Sequence, residues 1–395
     1  MRIGIVCYAS IGGSGVVATE LAHSLALRGH TVRLISSERP FRWRDGLPEL
    51  GFDRVDTPAY PLFREPQYLL ALATAIARLA CEHHLDVVHA HYAVPHATAA
   101  YLADEMLRAD ADAGGCRPRT VTTLHGTDVT LVGSDPSYRR VVAFSIEQSS
   151  AVTAVSESLR RDTQTAVGVR CPIEVIPNFL DCDAYRRQPN PALRARFATD
   201  DQVIVLHASN FRPVKRVGLV LDVFLRIRAA RPARLLLIGD GPDRPALEAA
   251  IAAAGASDAV TFLGEVQDPV PWLSLADLFL LPSSQESFGL AALEAMACGV
   301  PVAVSRVGGL PEVVTDDDTG LLCDPDDAAG MAGRILALLA DRDAAARMGR
   351  RAAAVARERF CVDAIVPRYE ALYARVVAPP QPASPSASGS TTPGA

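Results

Sequence analysis

Long hydrophobic runs are missing from this sequence. Its 395 residues contain no stretch of 18 consecutive apolar residues, so we expect no membrane-spanning helix. The N-terminus, from Met1 to Tyr8, has the pattern of a short buried strand and not that of a cleavable signal peptide. These two absences predict a cytoplasmic protein without stable membrane insertion.

Paired cysteines are also missing. None of the eight cysteines belongs to a Cys-x-x-Cys motif, and none has neighbours that single it out as a nucleophile; they are Cys7, Cys81, Cys116, Cys171, Cys182, Cys298, Cys323 and Cys361. Cysteines without such spacing are typical of a reducing compartment. We therefore expect free and mostly buried thiols.

An excess of positive charge is the third absence. The formal net charge is −6 and the isoelectric point is about 5.9, which argues against a general nucleic-acid-binding protein. Any anionic ligand must then be held by local basic residues and by the starts of helices. With 49% hydrophobic and 21% charged residues, the chain can build sizeable cores, and its length favours two or three domains.

What the sequence does contain is a regular alternation of short apolar runs and amphipathic segments, which predicts an α/β fold with parallel sheets. The first series of predicted strands is residues 2–8, 31–37, 86–91, 119–124 and 151–155. The same alternation then begins again, and the second series is residues 202–208, 234–238, 260–263, 277–281 and 300–304. The predicted helices include residues 14–28, 69–81 and 214–230. Two series of strands and helices predict two Rossmann-like, doubly wound domains that face each other across a cleft.

We place the domains at residues 1–177 and 178–364, and we expect residues 365–377 to cross back to the first domain. Residues 378–395 carry no charge and no large apolar side chain, so we expect that tail to be disordered. In doubly wound sheets, ligands collect at the carboxyl ends of the strands. The cleft between the two domains is therefore the predicted site.

The most informative stretch runs from Glu286 to Glu294 (Glu-Ser-Phe-Gly-Leu-Ala-Ala-Leu-Glu). It places two carboxylates eight positions apart around the predicted start of a helix. The free N–H groups of Phe288, Gly289 and Leu290 would lie at the positive end of the helix dipole, where a phosphate can bind. Phosphates at the helix start with an acid on either side suit a nucleotide-sugar better than a bare nucleotide.

A basic loop, from Asn210 to Arg216, follows the first predicted strand of the second domain. Transfer of a sugar from a nucleoside diphosphate needs positive charge on the departing phosphates, which Arg212 and Lys215 can supply without a metal. The alternative from the residues alone is a solvated basic helix face. We favour the functional interpretation because the loop comes directly after a strand.

The glycine-rich turn at Gly12-Gly13-Ser14-Gly15 opens the first predicted helix. Gly13-x-Gly15-x-x-Ala18 fits the dinucleotide fingerprint, and Glu38 follows about 20 residues later. An NAD-dependent oxidoreductase is therefore an alternative of a different class. A turn that approaches a diphosphate or an acceptor, or one that is merely tight, fits the same residues.

Histidines cluster at the ends of two first-domain strands. His89 and His91 share one face of a strand because side chains alternate with a period of two, but no carboxylate or cysteine set accompanies them, so a metal site is not favoured. His125 follows the next strand and can approach a sugar at the edge of the cleft. A satisfied core histidine is an equally good interpretation of His125 from spacing alone.

Together these motifs resemble the retaining glycosyltransferases of family 4, which have the GT-B fold. The resemblance covers roughly residues 1–376 and includes the Glu-x7-Glu element, the basic loop, and the turns Gly239–Pro242 and Gly308–Glu312. Matches in the first half resemble the transferases of bacillithiol synthesis. They imply UDP-N-acetylglucosamine (UDP-GlcNAc) as the donor substrate and L-malate as the acceptor.

The resemblance also implies roles for individual residues. Glu286, His125 and Lys215 are the expected catalytic residues. The expected donor-binding residues are Gly13, Asn210, Arg212, Lys215, Phe288, Gly289, Leu290 and Glu294. The expected acceptor-binding residues are Ser14, Arg64, Tyr92, Thr123, Thr127 and Arg139, of which the two arginines are candidate partners for the carboxylates of malate.

The mechanism implied is attack from the face that UDP leaves, so that the β-phosphate accepts the acceptor's proton and no cofactor is needed. We expect no metal, because no Asp-x-Asp element is predicted at a strand end near the donor loop. An inositol phosphate, lipid or polysaccharide acceptor and a non-catalytic nucleotide-sugar sensor remain alternatives. The sequence does not decide between a monomer and a homo-oligomer.

Overall fold

A computed structural model describes residues 1–9, 12–57, 67–110, 114–129, 133 and 135–378. Within those ranges, the first lobe contains a seven-stranded parallel sheet in the order β3-β2-β1-β4-β5-β6-β7. Its strands are β1 (Arg2–Val6), β2 (Thr31–Ser36), β3 (Leu50–Arg54), β4 (Val87–His91), β5 (Arg119–Leu124), β6 (Ala151–Ala154) and β7 (Ile173–Val175). Its helices are α1 (Gly13–Leu27), α2 (Tyr68–Glu82), α3 (Thr98–Ala109), α4 (Pro136–Glu147) and α5 (Glu157–Asp162).

The second lobe contains a six-stranded parallel sheet within the described ranges, in the order β10-β9-β8-β11-β12-β13. Its strands are β8 (Val203–Ala208), β9 (Ala233–Ile238), β10 (Val260–Gly264), β11 (Leu278–Leu281), β12 (Val302–Ser305) and β13 (Leu321–Cys323). The helices after the first lobe are α6 (Pro191–Arg194), α7 (Val217–Ala230), α8 (Arg244–Ala253), α9 (Val270–Leu273), α10 (Leu290–Ala297), α11 (Leu310–Val313), α12 (Ala328–Ala340), α13 (Arg342–Arg359) and α14 (Val362–Val377).

Both sheets reverse their strand order at a central strand. In the first sheet β1 pairs with β2 and β4, and in the second β8 pairs with β9 and β11. Loops that leave β1 and β8 therefore start at topological switch points, where open α/β sheets bind ligands. These are the loops that carry the glycine turn and the basic segment, which confirms the predicted two-lobe Rossmann-like architecture.

Helix α14 returns to the first lobe and covers its sheet. Ile365, Tyr369 and Tyr373 are fully or almost fully buried in a core shared with β1 and α1. The Tyr373 hydroxyl hydrogen-bonds to the Nδ1 atom of His89 at 2.7 Å, and Arg28, which follows α1 directly, donates to the Glu370 carboxylate at 2.8 Å. The C-terminal helix is thus an integral part of the first lobe.

The expectation of free thiols is wrong at one pair. Cys182 and Cys361 are joined by a disulfide, with their Cα atoms 5.6 Å apart. They lie where the linker between the lobes meets the start of α14, and Leu180 pairs with Cys361 through a backbone bridge. Contact between segments 179 residues apart depends on how the lobes dock, so the spacing of the cysteines could not reveal it.

Three strands were not predicted: β3, β7 and β13. The last two have three residues each, too few for a periodic pattern. The predicted disordered tail lies outside the described residues, apart from Ala378. Among the residues that are described, no helix combines the length and the apolar character needed to cross a bilayer.

Candidate active site

The site is built around the N-terminus of α10, which follows β11 after a short loop. Gly289 precedes the helix with φ +94°, in the left-handed region that favours glycine. A Cβ atom there would lie 2.4 Å from the Cδ2 atom of Leu310. The glycine therefore allows both the turn into α10 and its close packing against α11.

The backbone N–H groups at the helix start have no protein acceptor. Within the described part of the chain, none of the N–H groups of Phe288, Gly289 and Leu290 donates a hydrogen bond. Such groups, at the positive end of the helix dipole, are suited to bind an anion. Phe288 itself is buried and holds the loop in the core.

Lys215 and Glu286 form a close ion pair beside this helix start. The Nζ atom of Lys215 lies 2.5 Å from the Oε1 atom of Glu286, and the hydroxyl of Ser283 donates to the same oxygen at 3.0 Å. Lys215 ends a short 3-10 turn in the basic loop. It is also the only lysine in the sequence; every other basic side chain that is permanently charged is an arginine.

The turn from Gly308 to Glu312 fixes the backbone of Glu286. The N–H of Gly309 donates to the Glu286 carbonyl at 2.9 Å. A Cβ atom at Gly308 would lie only 1.9 Å from that oxygen. A glycine pair in this turn therefore lets two loops of the second lobe approach closely enough to orient Glu286.

Glu294 is held by a residue of the other lobe. Arg42 donates from Nη1 to the Oε1 atom of Glu294 at 2.9 Å, and the hydroxyl of Tyr185 donates to the same oxygen at 2.9 Å. Only 17% of the Arg42 side chain and 10% of the Glu294 side chain are exposed. The carboxylate and Tyr185 together raise the pKa of Arg42 despite its burial.

The wall of the first lobe brings three predicted acceptor residues together. Burial raises the pKa of Tyr92. Ser14 and Thr127 lie close to the Tyr92 hydroxyl and, together with the charge of Arg212 from the second lobe, they oppose the rise in the pKa of Tyr92. These hydroxyl groups therefore form a polar surface opposite the basic loop.

Buried histidines lie behind this surface. His125 shares a hydrogen bond of 2.9 Å with His91, and their rings stack. Burial lowers the pKa of His125 to about 3 and that of His91 well below its usual range. His125 is therefore neutral at physiological pH and can donate or accept a hydrogen bond at the edge of the cleft.

Asp128 is a buried carboxyl that the sequence motif did not single out. Its Oδ1 and Oδ2 atoms accept from the N–H groups of Gly126 at 2.9 Å and Ala93 at 3.2 Å. Burial raises its pKa to about 6, although these backbone donors oppose the shift. Asp128 thus supports the loop that carries His125 and Thr127.

The two lobes are in direct contact at the site. A Cβ atom at Gly126 would lie 1.6 Å from the Oγ atom of Ser287. On one side of the cleft, the Glu312 carboxylate accepts from the N–H groups of Glu157 and Ser158, both at 2.8 Å. The two lobes therefore touch at the site, where Gly126 of the first lobe lies against Ser287 of the second.

Some of the predicted residues lie elsewhere. Thr123 is fully buried, and its hydroxyl is bonded to His89 and Thr153 within the sheet. Its carbonyl accepts from the Tyr92 N–H at 3.0 Å, but its side chain does not reach the acceptor surface. Arg139 is exposed on α4, and its side chain makes no hydrogen bond or ion pair with any described residue. Arg64 lies outside the described residues.

The remaining predicted residues line the cleft or its floor. Gly13 begins α1, and a Cβ atom there would lie 3.7 Å from Leu290 across the cleft. Asn210 and Arg212 are exposed in the basic loop. Lys215 and Arg216 of that loop are held in ion pairs, whereas Arg212 makes no side-chain hydrogen bond or ion pair within the described residues.

An Asp-x-Asp element does follow a strand near the donor loop, contrary to the expectation. Asp324-Pro325-Asp326 comes directly after β13, a strand that was not predicted. Asp326 pairs with Arg216 at 3.1 Å, and Asp324 accepts from the N–H of Asp326 at 2.9 Å. Both aspartates have protein partners, and the described residues contain no group of three metal-ligating side chains.

Comparison with known proteins gives two matching family models, one for each half of the chain. Residues 11–184 match the model for Glycosyltransferase Family 4, and residues 190–355 match the model for glycosyl transferases group 1. The chain is also 44% identical over 374 residues to an N-acetyl-alpha-D-glucosaminyl L-malate synthase of Bacillus anthracis, covering 94% of this chain and 96% of that protein.

The chain belongs to glycosyltransferase family 4. It is also 29% identical over 418 residues to a D-inositol 3-phosphate glycosyltransferase of Geodermatophilus obscurus, covering 95% of this chain and 88% of that protein. Family membership confirms the prediction of a glycosyltransferase. It excludes the alternative of an oxidoreductase, which the glycine turn and Glu38 had suggested.

Solved structures confirm the GT-B fold of this family 4 enzyme. A sucrose-phosphate synthase from Thermosynechococcus elongatus has a TM-score of 0.79 at 23% identity and covers 95% of this chain and 98% of its own. Anabaena Alr3699/HepE in complex with UDP-glucose has a TM-score of 0.77 at 22% identity and covers 95% and 100%. At this level of identity the likeness concerns the fold alone.

Besides Asp128, the sequence did not reveal Arg42 and Tyr185 of this family 4 site. Arg42 follows β2 in a loop without a recognisable motif, and Tyr185 lies in the linker between the lobes. Arg42 meets Glu294 only because the two lobes are in contact. No local signal in the sequence marks either residue.

Proposed function

We propose that this enzyme transfers N-acetylglucosamine from UDP-GlcNAc to the hydroxyl of L-malate, with retention of the α configuration, in the cytoplasm. Two lines of support meet. The site has the groups that a nucleoside diphosphate sugar needs, and the similar protein of Bacillus anthracis is an N-acetyl-alpha-D-glucosaminyl L-malate synthase at 44% identity.

The donor would bind on the second lobe. The free N–H groups of residues 288–290, together with Lys215 and Arg212, would hold the diphosphate, since charge-assisted hydrogen bonds are the strongest available here. Glu294 would accept hydrogen bonds from the ribose hydroxyls, and Glu286 from the transferred sugar. Because Arg42 already occupies one oxygen of Glu294, the ribose would share this carboxylate with an arginine.

The acceptor would bind against the first lobe. Ser14, Tyr92 and Thr127 form a hydroxyl surface that faces the basic loop, and the malate carboxylates need at least one cation. Arg139, which is exposed on α4, and Arg64 remain the proposed partners. His125, held neutral by burial, would lie beside the sugar as a hydrogen-bonding group.

The reaction would proceed on one face of the sugar. The malate hydroxyl oxygen forms a bond to the anomeric carbon while the bond from that carbon to the β-phosphate oxygen breaks, and the hydroxyl proton passes to the departing β-phosphate. Lys215, Arg212 and the helix start stabilise the negative charge that develops on the phosphates. Closure of the lobes excludes water, which would otherwise hydrolyse the donor.

No metal is required in this proposal, because the basic loop and α10 can supply the positive charge. This is a separate claim from the identity of the substrates. Turnover that continues at the same rate in EDTA would support it, and loss of turnover that Mg²⁺ or Mn²⁺ restores would overturn it.

The single observation that carries the proposal is the ion pair of Lys215 and Glu286 beside the unpaired N–H groups of α10. The test is UDP release from UDP-GlcNAc with L-malate, D-malate or inositol phosphate as acceptor. We expect release with L-malate and a product whose anomeric proton has the small coupling constant of an α-linkage. Release with inositol phosphate but not with L-malate would show that the acceptor assignment is wrong.

A further inference from the structure

A cavity outside the catalytic cleft has an unusual charge. It has a volume of about 1060 Å³ and is lined by seven arginines against three aspartates, a formal charge of +4 in a chain whose net charge is −6. Its walls are the linker between the lobes, the C-terminal end of α10 and one face of α13. The catalytic residues named above do not line it.

The face of α13 is shaped to form a concave basic surface. Arg342, Arg350 and Arg357 line the cavity about two turns apart, and Ala346 and Ala353 lie between them. The small alanine side chains leave room between the arginines, because residues three, four and seven apart share one face of a helix. This face of α13 therefore presents several guanidinium groups around the small alanine side chains.

Several of these arginines have no acidic partner. Within the described residues, Arg186, Arg342 and Arg350 make no side-chain hydrogen bond or ion pair, whereas Arg194 is paired with Asp277 at 2.8 Å. Arg231 donates to the Leu339 carbonyl at 2.8 Å, and its Nε atom is buried without an acceptor. Guanidinium groups gathered without counter-charges repel one another, and an anion would relieve that repulsion.

The cavity is connected to the donor site through Tyr185. This residue lines the cavity, and its hydroxyl donates to Glu294 at 2.9 Å. Arg186 and Arg187 follow it directly in the linker, and Arg187 also donates to the Gly299 carbonyl just beyond α10. One end of α10 thus faces the proposed diphosphate site, and the other end, about 12 Å away along the axis, borders the cavity.

We propose that this cavity is a second binding site, for a small anion that carries at least two phosphate or carboxylate groups. A volume of this order is typical of small-molecule sites, and the planar guanidinium fork matches both oxyanions. The bound anion would draw Arg186 and Arg187 together and so hold Tyr185 on Glu294. Such preorganisation strengthens binding of the donor by reducing the freedom lost on binding.

The binding test uses isothermal titration calorimetry with inorganic pyrophosphate and, separately, with citrate. Because pyrophosphate can also occupy the cleft, the titrations are made in the Lys215→Gln variant and again in wild-type enzyme saturated with UDP. We expect one site, with about tenfold or greater loss of affinity in Arg342→Ala/Arg350→Ala, since each charge-assisted contact is strong. The matched control is Arg347→Ala, on the same helix but outside the cavity.

The stronger of the two anions identifies the chemistry of the ligand as phosphate or carboxylate. The absence of binding by both anions at about 10 mM would overturn the proposal, because a site with several unpaired arginines should be occupied well below that concentration. Equal binding by the double variant and the wild type would also overturn it. The outcome of this binding test does not depend on the identity of the donor or of the acceptor.

The kinetic test rests on the proposed function. We expect the anion to lower the KM for UDP-GlcNAc about threefold or more, a typical coupling between sites, and to have no effect in the Arg342→Ala/Arg350→Ala variant. The basal activity of that variant should match the wild type, because neither arginine contacts the cleft. Binding without any change in KM would show that the proposed coupling through Tyr185 is wrong.

Discussion

At the scale of single residues, charged side chains of the site are paired within the protein before a substrate arrives. Lys215 is paired with Glu286, and Glu294 is paired with Arg42. A donor must therefore exchange these contacts for its own. Because the ion pairs are partly buried, breaking them costs free energy. That cost stays small only if phosphate and hydroxyl groups of the donor replace every partner that is lost.

Lys215 is the residue whose replacement should be most damaging. Lys215→Gln removes a charge from the departing diphosphate and leaves Glu286 without its cation, so we expect kcat/KM to fall about 10²- to 10³-fold. Lys215→Arg should restore only part of the rate, because a planar guanidinium does not reproduce a compact ammonium. Initial rates of UDP release measure both effects.

The control for this change is Arg226→Gln, which lies in an exposed ion pair on α7. It should leave the rate and the melting temperature within error of the wild type. Wild-type turnover in Lys215→Gln, in a protein with an unchanged circular dichroism spectrum, would remove Lys215 from the mechanism.

Arg42 and Glu294 should be energetically coupled. Their side chains are 17% and 10% exposed and 2.9 Å apart, so removing either one leaves a buried charge without its main partner. A double-mutant cycle of Arg42→Ala and Glu294→Ala should give a coupling free energy of about 1–3 kcal/mol. Urea unfolding of the four proteins measures it.

The neighbouring pair Arg44 and Glu20 provides the comparison, because the Arg44 side chain is 52% exposed. Its cycle should give about 0–1 kcal/mol. If both cycles give the same small coupling free energy, Arg42 does not hold Glu294 in solution, and the contact between them in the structure is wrong.

At the scale of elements, the start of α10 depends on Gly289. Gly289→Ala places a Cβ atom 2.4 Å from Leu310 and keeps a left-handed φ of +94°, so the helix start must move. We expect a fall in kcat/KM of about tenfold or more, since displaced N–H groups no longer meet the diphosphate. UDP-release kinetics and the Kd for UDP report this.

Gly255→Ala is the control that separates the effect of backbone strain from the effect of a displaced helix start. Gly255 also has a positive φ, +60°, but a Cβ atom there meets nothing within 4 Å. This variant should lose about 1 kcal/mol of stability at constant activity. Equal activity in the two variants would argue that α10 does not position the donor.

Helix α14 is essential to the first lobe. A chain that ends at Phe360 exposes the buried face of Ile365, Tyr369 and Tyr373, and each such side chain is worth about 1.5–3 kcal/mol of burial. We expect that truncation to be insoluble or to melt far below the full chain. A chain that ends at Ala378 should keep both the activity and the melting temperature.

These elements also show how far the sequence alone can lead. Glu286, Glu294 and Lys215 lie in contiguous motifs directly after strands, so their convergence could be predicted from topology. Arg42 is 252 residues from its partner, and that contact exists only after two lobes dock. The missed strand β13 led to a second error, because the Asp324–Asp326 element was not recognised as following a strand.

At the scale of the whole molecule, buried histidines should make the protein sensitive to acid. Burial lowers the pKa of His89 and His125 to about 3 and that of His96 and His207 to about 4, against about 6.5 in an unfolded chain. Below pH 6.5 the unfolded state binds these protons and the folded state does not. Stability is therefore lost as the pH falls from about 6.5 toward 3.

Each histidine contributes up to about 1.4 kcal/mol per pH unit in that interval. Asp128 opposes the trend, because burial raises its pKa to about 6 and the folded state then retains a proton between about pH 4 and 6. One carboxyl against four histidines leaves a net loss, so the melting temperature should fall steeply between pH 6 and pH 4. A flat profile over this interval would show that the histidines are not buried in their neutral form.

The proposed donor binds between the lobes with its diphosphate at Lys215, and the single lysine in the sequence permits a direct test. Enzyme grown with ¹³C-lysine gives one lysine side-chain signal in an NMR spectrum. We expect UDP-GlcNAc to shift the Lys215 ¹³Cε signal in a saturable way, with a Kd that matches donor binding by calorimetry, whereas L-malate alone leaves it in place. An unmoved signal at donor concentrations that saturate turnover would contradict the account.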